Sequence, residues 1–376
     1  MTHKKFDEPQ NSIYIPLHVG RIMSDDFGYL GDDTGESISN LNNFYGELTG
    51  IYWVWKNIHD ADIIGVCHYR RFFLNHNRTL MEQQEYEDIL KEYDIIVSNK
   101  VKADKPYQAY YAEAHNEKDL LTVGQVINEK YPEYTPFFES ALSGNSYYYG
   151  NLFVTSQALF HSYSEWLFDI LFETEKRIDV SSYNLYNQRV FGFLSEQLLK
   201  VWIDKNKWKA YEGIIGITAE KAETVEFKRV MAHLVQKGSI QEARHLFYEY
   251  MKLRPDIRLE LSDIKGEIPI IEQLLYIAEQ EQLRGISSLS EYSADLNKWI
   301  THFYKVREFL LHISNNKISQ AEIDYILDTK TSWVMCKIIL LNASEMITDR
   351  EKAIENLYNI YYHANKLEDC KGLMEN

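Results

Sequence analysis

The stretch DIIGVCHYRRFF, residues 62–73, changes chemical character halfway along its length. Residues 63–67 form a short apolar run with β-branched side chains, which is typical of a strand buried on both faces, most often in a parallel sheet. Residues 68–71, His-Tyr-Arg-Arg, are basic and aromatic. Ligands of open α/β sheets bind at the carboxyl ends of strands, where two adjacent arginines offer forked donors for a diphosphate or a carboxylate. Surface charge after a strand is the simpler interpretation of this stretch taken alone.

A strand, a loop and a helix precede this stretch. Residues 13–19 have the pattern of a strand interrupted by Pro16, after a polar segment, residues 1–10, that we expect to fray. Residues 44–58 have apolar side chains at three- and four-residue spacings, which predicts a helix. Glu47 in its first turns is either a charge that complements the helix dipole or a ligand to the preceding loop, and the first is the simpler interpretation. The order strand, loop, helix, strand predicts a βαβ unit with parallel strands.

Adjacent acidic side chains lie in the loop of this unit. Asp32 and Asp33 stand between Gly31 and Gly35, and glycines allow a tight turn and a close approach of backbone to ligand. The aspartates could orient sugar hydroxyls, hold a cation or act as a base, and a solvated acidic turn is an equal alternative. A βαβ geometry brings this loop and residues 68–71 to the same edge of the sheet, so we expect the two to face one another.

Two later segments add polar side chains to apolar surroundings. Asn151 follows Gly150 within an apolar run, and a buried amide without a partner is costly, so we expect it to make a defined hydrogen bond. Residues 187–202 predict a helix in which Arg189 and Glu196 interrupt the apolar pattern. Gly192 would cost this helix about 1 kcal/mol relative to alanine, which suggests that something packs closely against it.

Composition excludes some classes of protein. A net charge of −16 argues against nucleic-acid binding, so an anionic ligand would need local basic clusters. The three cysteines, Cys67, Cys336 and Cys370, have no metal-ligand spacing and indicate a reducing compartment. No apolar run approaches the ~20 residues of a spanning helix, and the amino-terminal residues lack a signal-peptide pattern. We therefore expect a cytoplasmic protein, with contact at the inner face of the membrane left open.

The chain is long enough for two domains. At 376 residues it exceeds the roughly 150 residues of a typical domain, and near residue 219 the pattern becomes helical almost throughout. We expect an α/β domain at residues 1–220 and an all-α domain at residues 221–376. Residues 227–254 resemble one helix-turn-helix of the tetratricopeptide type, without a second copy at a fixed period. This helical region could contact the acceptor, a membrane surface or an assembly enzyme.

Taken together, the motifs resemble a family of bacterial glycosyltransferases catalogued as domain of unknown function 4422. Its members occur among capsule, exopolysaccharide and O-antigen gene products. The resemblance covers residues 11–217 and depends on residues 13–19, 28–35, 47–49, 52–53, 55–57, 68–73, 150–153 and 192–196. It implies a variant of the GT-A fold, which is Rossmann-like, with a mostly parallel sheet and flanking helices. It also implies a nucleotide-diphosphate sugar donor, and galactofuranosyl transfer from UDP-galactofuranose in members with an assigned activity.

The resemblance also implies roles for particular residues. Usual GT-A enzymes hold a divalent metal with an Asp-x-Asp after a central strand, whereas residues 68–71 occupy the comparable place here. The only literal Asp-x-Asp, residues 60–62, precedes the strand, so we assign no metal ligands and leave metal dependence open. Cationic side chains can neutralise a leaving diphosphate without a metal. The candidate donor-binding residues are His18, Gly31, Thr34, His68, Tyr69, Arg70, Arg71, Gly150, Asn151 and Arg189.

The expected reaction is an inverting hexosyl transfer to a glycan acceptor, in which one carboxylate takes the proton of the acceptor hydroxyl. The candidate catalytic residues are Asp32, Asp33 and Glu196, with the aspartates first for sugar contact and Glu196 close behind as base. A rival hypothesis is a non-catalytic glycan- or nucleotide-binding protein of a polysaccharide assembly complex. A nucleotidyltransferase is weaker, because no glycine-rich phosphate loop with a nearby lysine is evident.

Overall fold

The computed structural model of the chain describes residues 1–258, 262–315, 317–342 and 349–364. The chain divides into two compact units, Met1–Ala219 and Glu220–Asn376. Each unit has a hydrophobic core of its own, the first rich in tyrosine, phenylalanine and tryptophan and the second dominated by isoleucine and leucine. Cys370 lies outside the described residues.

The first unit is a mixed α/β fold around a five-stranded sheet. Its strands are β1 (Leu17–His18), β2 (Leu30–Gly31), β3 (Ile63–Val66), β4 (Arg71–Leu74), β5 (Ile95–Ser98), β6 (Lys100–Lys102), β7 (Ser146–Tyr148), β8 (Phe153–Ser156) and β9 (Ala210–Ile217). The central sheet has the order β3-β8-β5-β9-β4, while β1 pairs with β2 and β6 pairs with β7.

The central sheet confirms the α/β class but corrects the prediction of mostly parallel strands. Only β5 and β9 are parallel, whereas the pairs β3–β8, β5–β8 and β4–β9 are antiparallel. The prediction was wrong because an apolar run indicates burial of a strand but contains no information about the direction of the neighbouring strand. The strand β3 is also an edge strand with Gly65 exposed, and therefore is not buried on both faces.

The sheet is curled, and the link between β3 and β4 shows why. These strands lie at opposite edges of the five-stranded order, yet only residues 67–70 join them. Five flat strands would span about 19 Å at the usual strand spacing, which roughly equals the longest reach of such a link. The link is not extended, because Arg71 N–H donates to the His68 carbonyl at 3.0 Å. The two edges must therefore approach one another.

The predicted βαβ unit does not form. The strand β1 pairs in parallel with β2 instead of joining the central sheet. The first two residues, which we expected to fray, are ordered beside it: Thr2 N–H donates to the Leu17 carbonyl at 2.8 Å, and Tyr69 N–H donates to the Met1 carbonyl at 3.0 Å. Backbone pairing through residues 1–2 thus connects β1 with the segment that follows β3.

Eight helices of the first unit flank the sheet in the described residues: α1 (Asn42–Tyr45), α2 (Leu48–Asn57), α3 (Gln83–Leu90), α4 (Tyr107–Ala112), α5 (Glu117–Lys130), α6 (Thr135–Ser143), α7 (Gln157–Glu175) and α8 (Val190–Asn206). The single helix predicted at residues 44–58 is therefore divided into α1 and α2. The cause is Gly46, whose φ of 56° lies in the left-handed region and interrupts the helix. The division leaves Glu47 at the start of α2.

The second unit is helical throughout its described residues. It contains α9 (Ala222–Gln236), α10 (Ile240–Leu253), α11 (Ile268–Leu283), α12 (Ser288–Tyr292), α13 (Leu296–Ser314), α14 (Gln320–Asp328), α15 (Trp333–Asn342) and α16 (Arg350–His363). The helices α9 and α10 form a helix-turn-helix, with Gly238 at a φ of 72° in the turn and Phe227 stacked on Tyr250 at 4.9 Å. None of the described helices is long and apolar enough to cross a membrane.

Candidate active site

A single carboxylate, that of Glu47, gathers polar side chains from three distant parts of the first unit. Asn151 Nδ2 donates to Glu47 Oε1 at 2.8 Å. Arg189 Nη2 lies 3.7 Å from Glu47 Oε2, and His68 Nε2 lies 3.8 Å from Glu47 Oε1. The glutamate side chain is 12% exposed, so these contacts are made largely out of water. Glu47 therefore connects three parts of the chain: residues 67–70 after β3, the segment before β8, and the residue that precedes α8.

Asn151 makes the defined hydrogen bonds that its place in an apolar run predicts. Besides the bond to Glu47, its Oδ1 accepts from Ser195 Oγ at 3.1 Å, and Ser195 Oγ also lies 2.8 Å from the Gly192 carbonyl. Both ends of the Asn151 amide thus bind protein groups. A Cβ on Gly192 would meet the Tyr45 carbonyl at 3.5 Å and Glu47 Oε2 at 4.0 Å, which explains the close packing expected there.

Arg71, the first residue of β4, lies beside the Gly150 backbone. Its guanidinium sits over the ring of Tyr149, 4.5 Å from the centroid, and Nη2 donates to Tyr149 Oη at 3.2 Å. A Cβ added to Gly150 would lie 2.9 Å from Arg71 Nη1 and 3.9 Å from His68 Nε2. The absence of a side chain at Gly150, whose φ is 70°, therefore keeps the approach to both nitrogens open.

Two nitrogens in this cluster are buried without a hydrogen-bond partner among the described residues. They are Arg71 Nε and His68 Nε2. Buried polar atoms are nearly always paired, so unpaired ones indicate a strained site or a place for a ligand. Both nitrogens can donate to an acceptor, and Gly150 adjoins His68 Nε2 and the Nη1 of the same Arg71 guanidinium. The cluster is consequently suited to an anionic or hydroxyl-rich ligand.

Glu196, on α8, combines partial exposure with a strongly perturbed acidity. Burial, and then the charge of Glu47, raise its pKa from 4.5 to about 8, while Arg71, the Gly150 backbone and Arg189 oppose the shift. The side chain keeps some exposed surface. Such a carboxyl group exchanges a proton near neutral pH, as a general base or acid must.

The protonation of His68 and that of Glu47 depend on each other. Burial lowers the pKa of His68 to about 3 and the charges of Arg71 and Arg70 contribute, although Glu47 opposes the shift. The imidazole is therefore neutral at pH 7. Burial also works against the ionised form of Glu47, but His68, Arg189 and the Asn151 hydrogen bond outweigh it and lower its pKa. With His68 neutral, Arg189 and Asn151 are the groups that hold Glu47 ionised.

The candidate residues around the first loop form a separate cluster, centred on Asp32. This side chain is completely buried, and its oxygens accept from Gly20 N at 2.9 Å, Arg21 N at 3.3 Å, Ser39 Oγ at 2.5 Å and Thr49 Oγ1 at 2.6 Å. Four donors and no exposed surface leave no oxygen for an acceptor hydroxyl. The structure thus corrects the expectation that Asp32 contacts sugar or acts as base, because this carboxylate fixes the β1–β2 segment to α2.

The neighbours of Asp32 are also occupied by protein contacts. Asp33 pairs with Arg21, whose Nε donates at 2.7 Å, and a Cβ on Gly31 would collide with the same arginine. Thr34 accepts a hydrogen bond from the indole of Trp53 at 3.2 Å. His18 is buried, stacked on Phe27 and in contact with Ser24. No contact in the described residues joins these side chains to Glu196.

Arg70 and Tyr69 point away from the Glu196 cluster. Arg70 is buried and its Nη1 lies 3.5 Å from the Ala219 carbonyl. Tyr69 packs edge-on against His3 and Phe6, with the Lys4 ammonium 4.9 Å from its ring. Of the two adjacent arginines, only Arg71 has its guanidinium beside Gly150. Arg70 lies in the turn before β4 and Arg71 begins that strand, so the two side chains take different directions.

A divalent metal of the kind that GT-A enzymes use does not fit this cluster. Residues 68–71 supply an imidazole and two guanidinium groups, which are not ligands for a hard cation. Asp60 and Asp62 are both exposed and lie before β3, at the end of that strand opposite His68. In the described residues no group of three or more His, Cys, Asp or Glu side chains could hold a metal ion.

Sequence reasoning missed the importance of Glu47 and Tyr149. Glu47 was interpreted as a helix-dipole charge, although it belongs to one of the motifs that carry the family resemblance. The positive φ of Gly46, which turns Glu47 towards Asn151 and His68, cannot be recognised from helical periodicity. Tyr149 is one of three consecutive tyrosines, and nothing in the sequence distinguishes it from Tyr147 and Tyr148, which are buried in β7.

The fold and this cluster together define a glycosyltransferase-like α/β protein with a helical carboxyl-terminal region. Residues 1–207 match the family described as a domain of unknown function, DUF4422, and the chain belongs to this family. The solved apo structure of the WbbM bifunctional glycosyltransferase is similar, with 30% sequence identity and a TM-score of 0.53. The similarity covers 58% of this chain and 44% of that one, so this chain matches less than half of WbbM. No curated protein matches.

Proposed function

We propose that this protein is an inverting hexosyltransferase that moves a sugar, best assigned as galactofuranose, from a UDP-sugar to a glycan acceptor. The observation that carries the proposal is Glu196, a partly exposed carboxyl group with a pKa of about 8 beside Arg71 and the Gly150 backbone. The similarity to WbbM, a glycosyltransferase, supports the reaction class. The choice of galactofuranose depends on the family resemblance.

Glu196 is the proposed general base. Its role is to accept the proton of the attacking acceptor hydroxyl while the anomeric carbon of the donor gains positive charge. The raised pKa makes the carboxylate a stronger base than an ordinary glutamate, at the expense of its ionised fraction at pH 7. The hydrogen bonds that engage Asp32 leave Glu196 as the better candidate of the two.

Arg71 is the proposed partner of the leaving diphosphate. Its guanidinium is buried, oriented by Tyr149, and has an Nε without a protein partner among the described residues. A fixed positive charge in a poorly hydrated place stabilises the negative charge that develops on the leaving group. His68 contributes a hydrogen bond from a neutral ring rather than a charge. Arg70 acts at longer range, because its side chain turns towards Ala219.

Gly150 admits the donor to this pair of side chains, and Glu47 and Asn151 position them. Asn151 is therefore a positioning residue, since both ends of its amide bind protein. The residues near Asp32, including His18, Gly31, Asp33 and Thr34, have a structural role in the β1–β2 segment in this proposal. In this proposal Tyr69 is also structural.

The setting of the reaction is surface-polysaccharide or glycoconjugate synthesis in the cytoplasm of a bacterium, with the acceptor presented at the inner face of the membrane. The family resemblance and the absence of a membrane-spanning helix in the described residues support this setting. The helical unit is proposed to contact the acceptor carrier or another assembly enzyme. The acidic net charge of −16 supports neither a nucleic-acid partner nor non-specific binding to anionic lipid.

The deciding experiment is incubation of the purified protein with a panel of UDP-sugars, with and without a chelator, followed by detection of released UDP. We expect UDP release from at least one donor, unaffected by the chelator, and a loss of release in Glu196→Gln. Glu139→Gln, which removes an exposed carboxylate from α6, is the matched control and should retain full release. Saturable nucleotide binding without release from any donor would instead favour the non-catalytic binding protein.

A further inference from the structure

Three aromatic rings form a partly exposed surface next to the candidate base. They belong to His115, after α4, to Tyr186, before α8, and to Phe193, within α8. The rings of His115 and Phe193 are stacked at 4.2 Å, those of His115 and Tyr186 at 5.5 Å, and Tyr186 lies 5.0 Å from Phe193. We call this surface the aromatic shelf. Its rings support one another, so the surface is rigid before any ligand arrives.

The helix α8 connects the shelf with Glu196. Arg189, Phe193 and Glu196 follow one another at spacings of four and three residues, which places them on one face of a helix. The Arg189 guanidinium lies 6.0 Å from the Phe193 ring centroid and 3.7 Å from Glu47. A ligand on the shelf would therefore lie about one helical turn from the carboxyl group of Glu196.

The buried hydroxyl of Tyr111 marks the inner end of the shelf. Tyr111 is 2% exposed, and its ring lies 4.7 Å from the His115 ring. Its hydroxyl has no hydrogen-bond partner among the described residues, although a buried hydroxyl without a partner is costly. Burial and then the charges of Asp119, Tyr183 and Glu196 raise the pKa of this tyrosine, so it is a neutral donor. A sugar hydroxyl would satisfy such a group.

The cationic pair and the shelf adjoin Glu47 through different side chains. His68 approaches one carboxylate oxygen, and Arg189, which lies near the Phe193 ring, approaches the other. An inverting displacement requires the nucleophile and the leaving group on opposite sides of the reacting carbon. If the diphosphate leaves towards Arg71, the acceptor must bind to side chains other than His68 and Arg71, and the shelf supplies such side chains next to Glu196.

We propose that the aromatic shelf is the acceptor subsite, which binds the apolar face of the hexose ring that carries the attacking hydroxyl. This inference rests on the proposed function. Aromatic rings and sugar C–H faces pack by the same dispersion and area burial that stabilise protein cores, and polar groups at the edge fix the orientation. Glu196 supplies such a polar group here, and the Tyr111 ring packs against the His115 ring. The other ligand that an aromatic surface suits is the uracil ring of the donor.

The uracil alternative is less compatible with the charges. A nucleobase is tied to its diphosphate, which needs cationic partners close by. Of the cationic side chains, Arg189 adjoins the shelf and already faces Glu47 at 3.7 Å. The Arg71 guanidinium and His68 Nε2, which include buried donors without a partner among the described residues, adjoin Gly150 instead.

The test compares Phe193→Ala with Leu185→Ala, which removes a neighbouring side chain that is 85% exposed and outside the shelf. We expect Phe193→Ala to raise the acceptor KM about tenfold and to raise the donor KM by much less. Phe193→Tyr should restore the acceptor KM, and Leu185→Ala should change neither constant. A raised donor KM with an unchanged acceptor KM would identify a uracil platform, and unchanged constants for both substrates would overturn the subsite.

Binding without turnover separates this inference from the proposed function. Methyl β-D-galactofuranoside and methyl β-D-galactopyranoside serve as probes in saturation-transfer NMR with the full chain and UDP. We expect saturation of the ring C–H protons in wild type and its loss in Phe193→Ala, with a circular dichroism melt to show that the variant is folded. Failure of every UDP-sugar to react would refute the transferase alone, whereas probes that bind equally well to both proteins, or to neither, would refute the shelf.

Discussion

The negative charge of Glu47 acts on Glu196, 149 positions further along the chain, and raises the pKa of that second carboxyl group. Burial is the larger cause, but Glu47 is the neighbour that a mutation can remove. The two carboxylates differ in their partners: Asn151, His68 and Arg189 surround Glu47, whereas Glu196 is left to hold a proton. Pairs of titratable groups whose environments separate their pKa values are frequent at catalytic sites.

The first prediction concerns the dependence of activity on pH. If Glu196 is the base, it must be ionised, so kcat/KM should rise with pH and level off above its pKa of about 8. Glu47→Gln removes a nearby negative charge, which favours the ionised form of Glu196 and should move the midpoint to lower pH. The measurement is a pH profile of kcat/KM for both proteins. A midpoint near 4.5 in wild type would contradict the role of Glu196.

The second prediction concerns Glu196→Gln, which should lower kcat by a factor on the order of 100 or more, as loss of a general base usually does. The same change should stabilise the fold at alkaline pH. Because the pKa of Glu196 is raised in the folded state, its proton favours folding below pH 4.5, and this contribution is lost as the pH rises through about 8. The glutamine has no proton to lose.

Urea denaturation at pH 5 and at pH 9 measures this effect. We expect the free energy of unfolding of the variant, relative to wild type, to increase by roughly 2 kcal/mol between the two pH values, less than the full pKa shift implies because the side chain is partly exposed. Glu139→Gln should show no such pH-dependent difference. A variant that gains nothing at pH 9 would mean that Glu196 titrates normally.

The third prediction distinguishes the two adjacent arginines. Arg71→Lys retains the charge but loses the forked geometry and the stacking on Tyr149, so we expect kcat to fall about 100-fold with the donor KM raised. Arg70→Lys should have a smaller effect on kcat, within about tenfold, because that side chain turns towards Ala219. Steady-state kinetics with the donor varied would measure both. Equal losses of kcat in the two variants would show that the different contacts of the two arginines, with Tyr149 and with Ala219, do not decide their effect on catalysis.

The sequence predicts single residues of the site better than it predicts their partners. Asn151 and Gly192 are recognised because an amide in an apolar run and a glycine in a helix each carry a cost that something must offset. Arg71 is singled out by its place after an apolar run and Glu196 by its interruption of a helical apolar pattern, and the family motifs include both. None of these signals shows that Glu47 lies between His68 and Arg189, since those three side chains come together only when the whole sheet and α8 are assembled.

The architecture was predicted to the level of class, and its errors have local causes. The apolar run at residues 63–67 identifies β3 as a strand, but it contains no information about the direction of a neighbouring strand. The βαβ unit failed because residues 1–2 pair with both Leu17 and Tyr69, a contact that the polar amino-terminal sequence does not suggest. The predicted βαβ unit led to the expectation that the loop with Asp32 faces the arginines. In the structure the Asp32 carboxylate instead accepts hydrogen bonds from Ser39 and Thr49.

The last prediction separates structural from catalytic aspartates in that loop. Asp32→Asn replaces an acceptor of four hydrogen bonds by a group with one acceptor oxygen and an NH₂ that faces donors. We expect a loss of roughly 2–4 kcal/mol in the free energy of unfolding, because buried donors would lose a charged partner. Asp33→Asn, whose side chain is 21% exposed and pairs with Arg21, should cost less than about 1 kcal/mol. If Asp32 is structural, the folded fraction of Asp32→Asn should keep its pH profile and donor KM, whereas a stable variant with kcat reduced 100-fold would restore Asp32 as a catalytic residue.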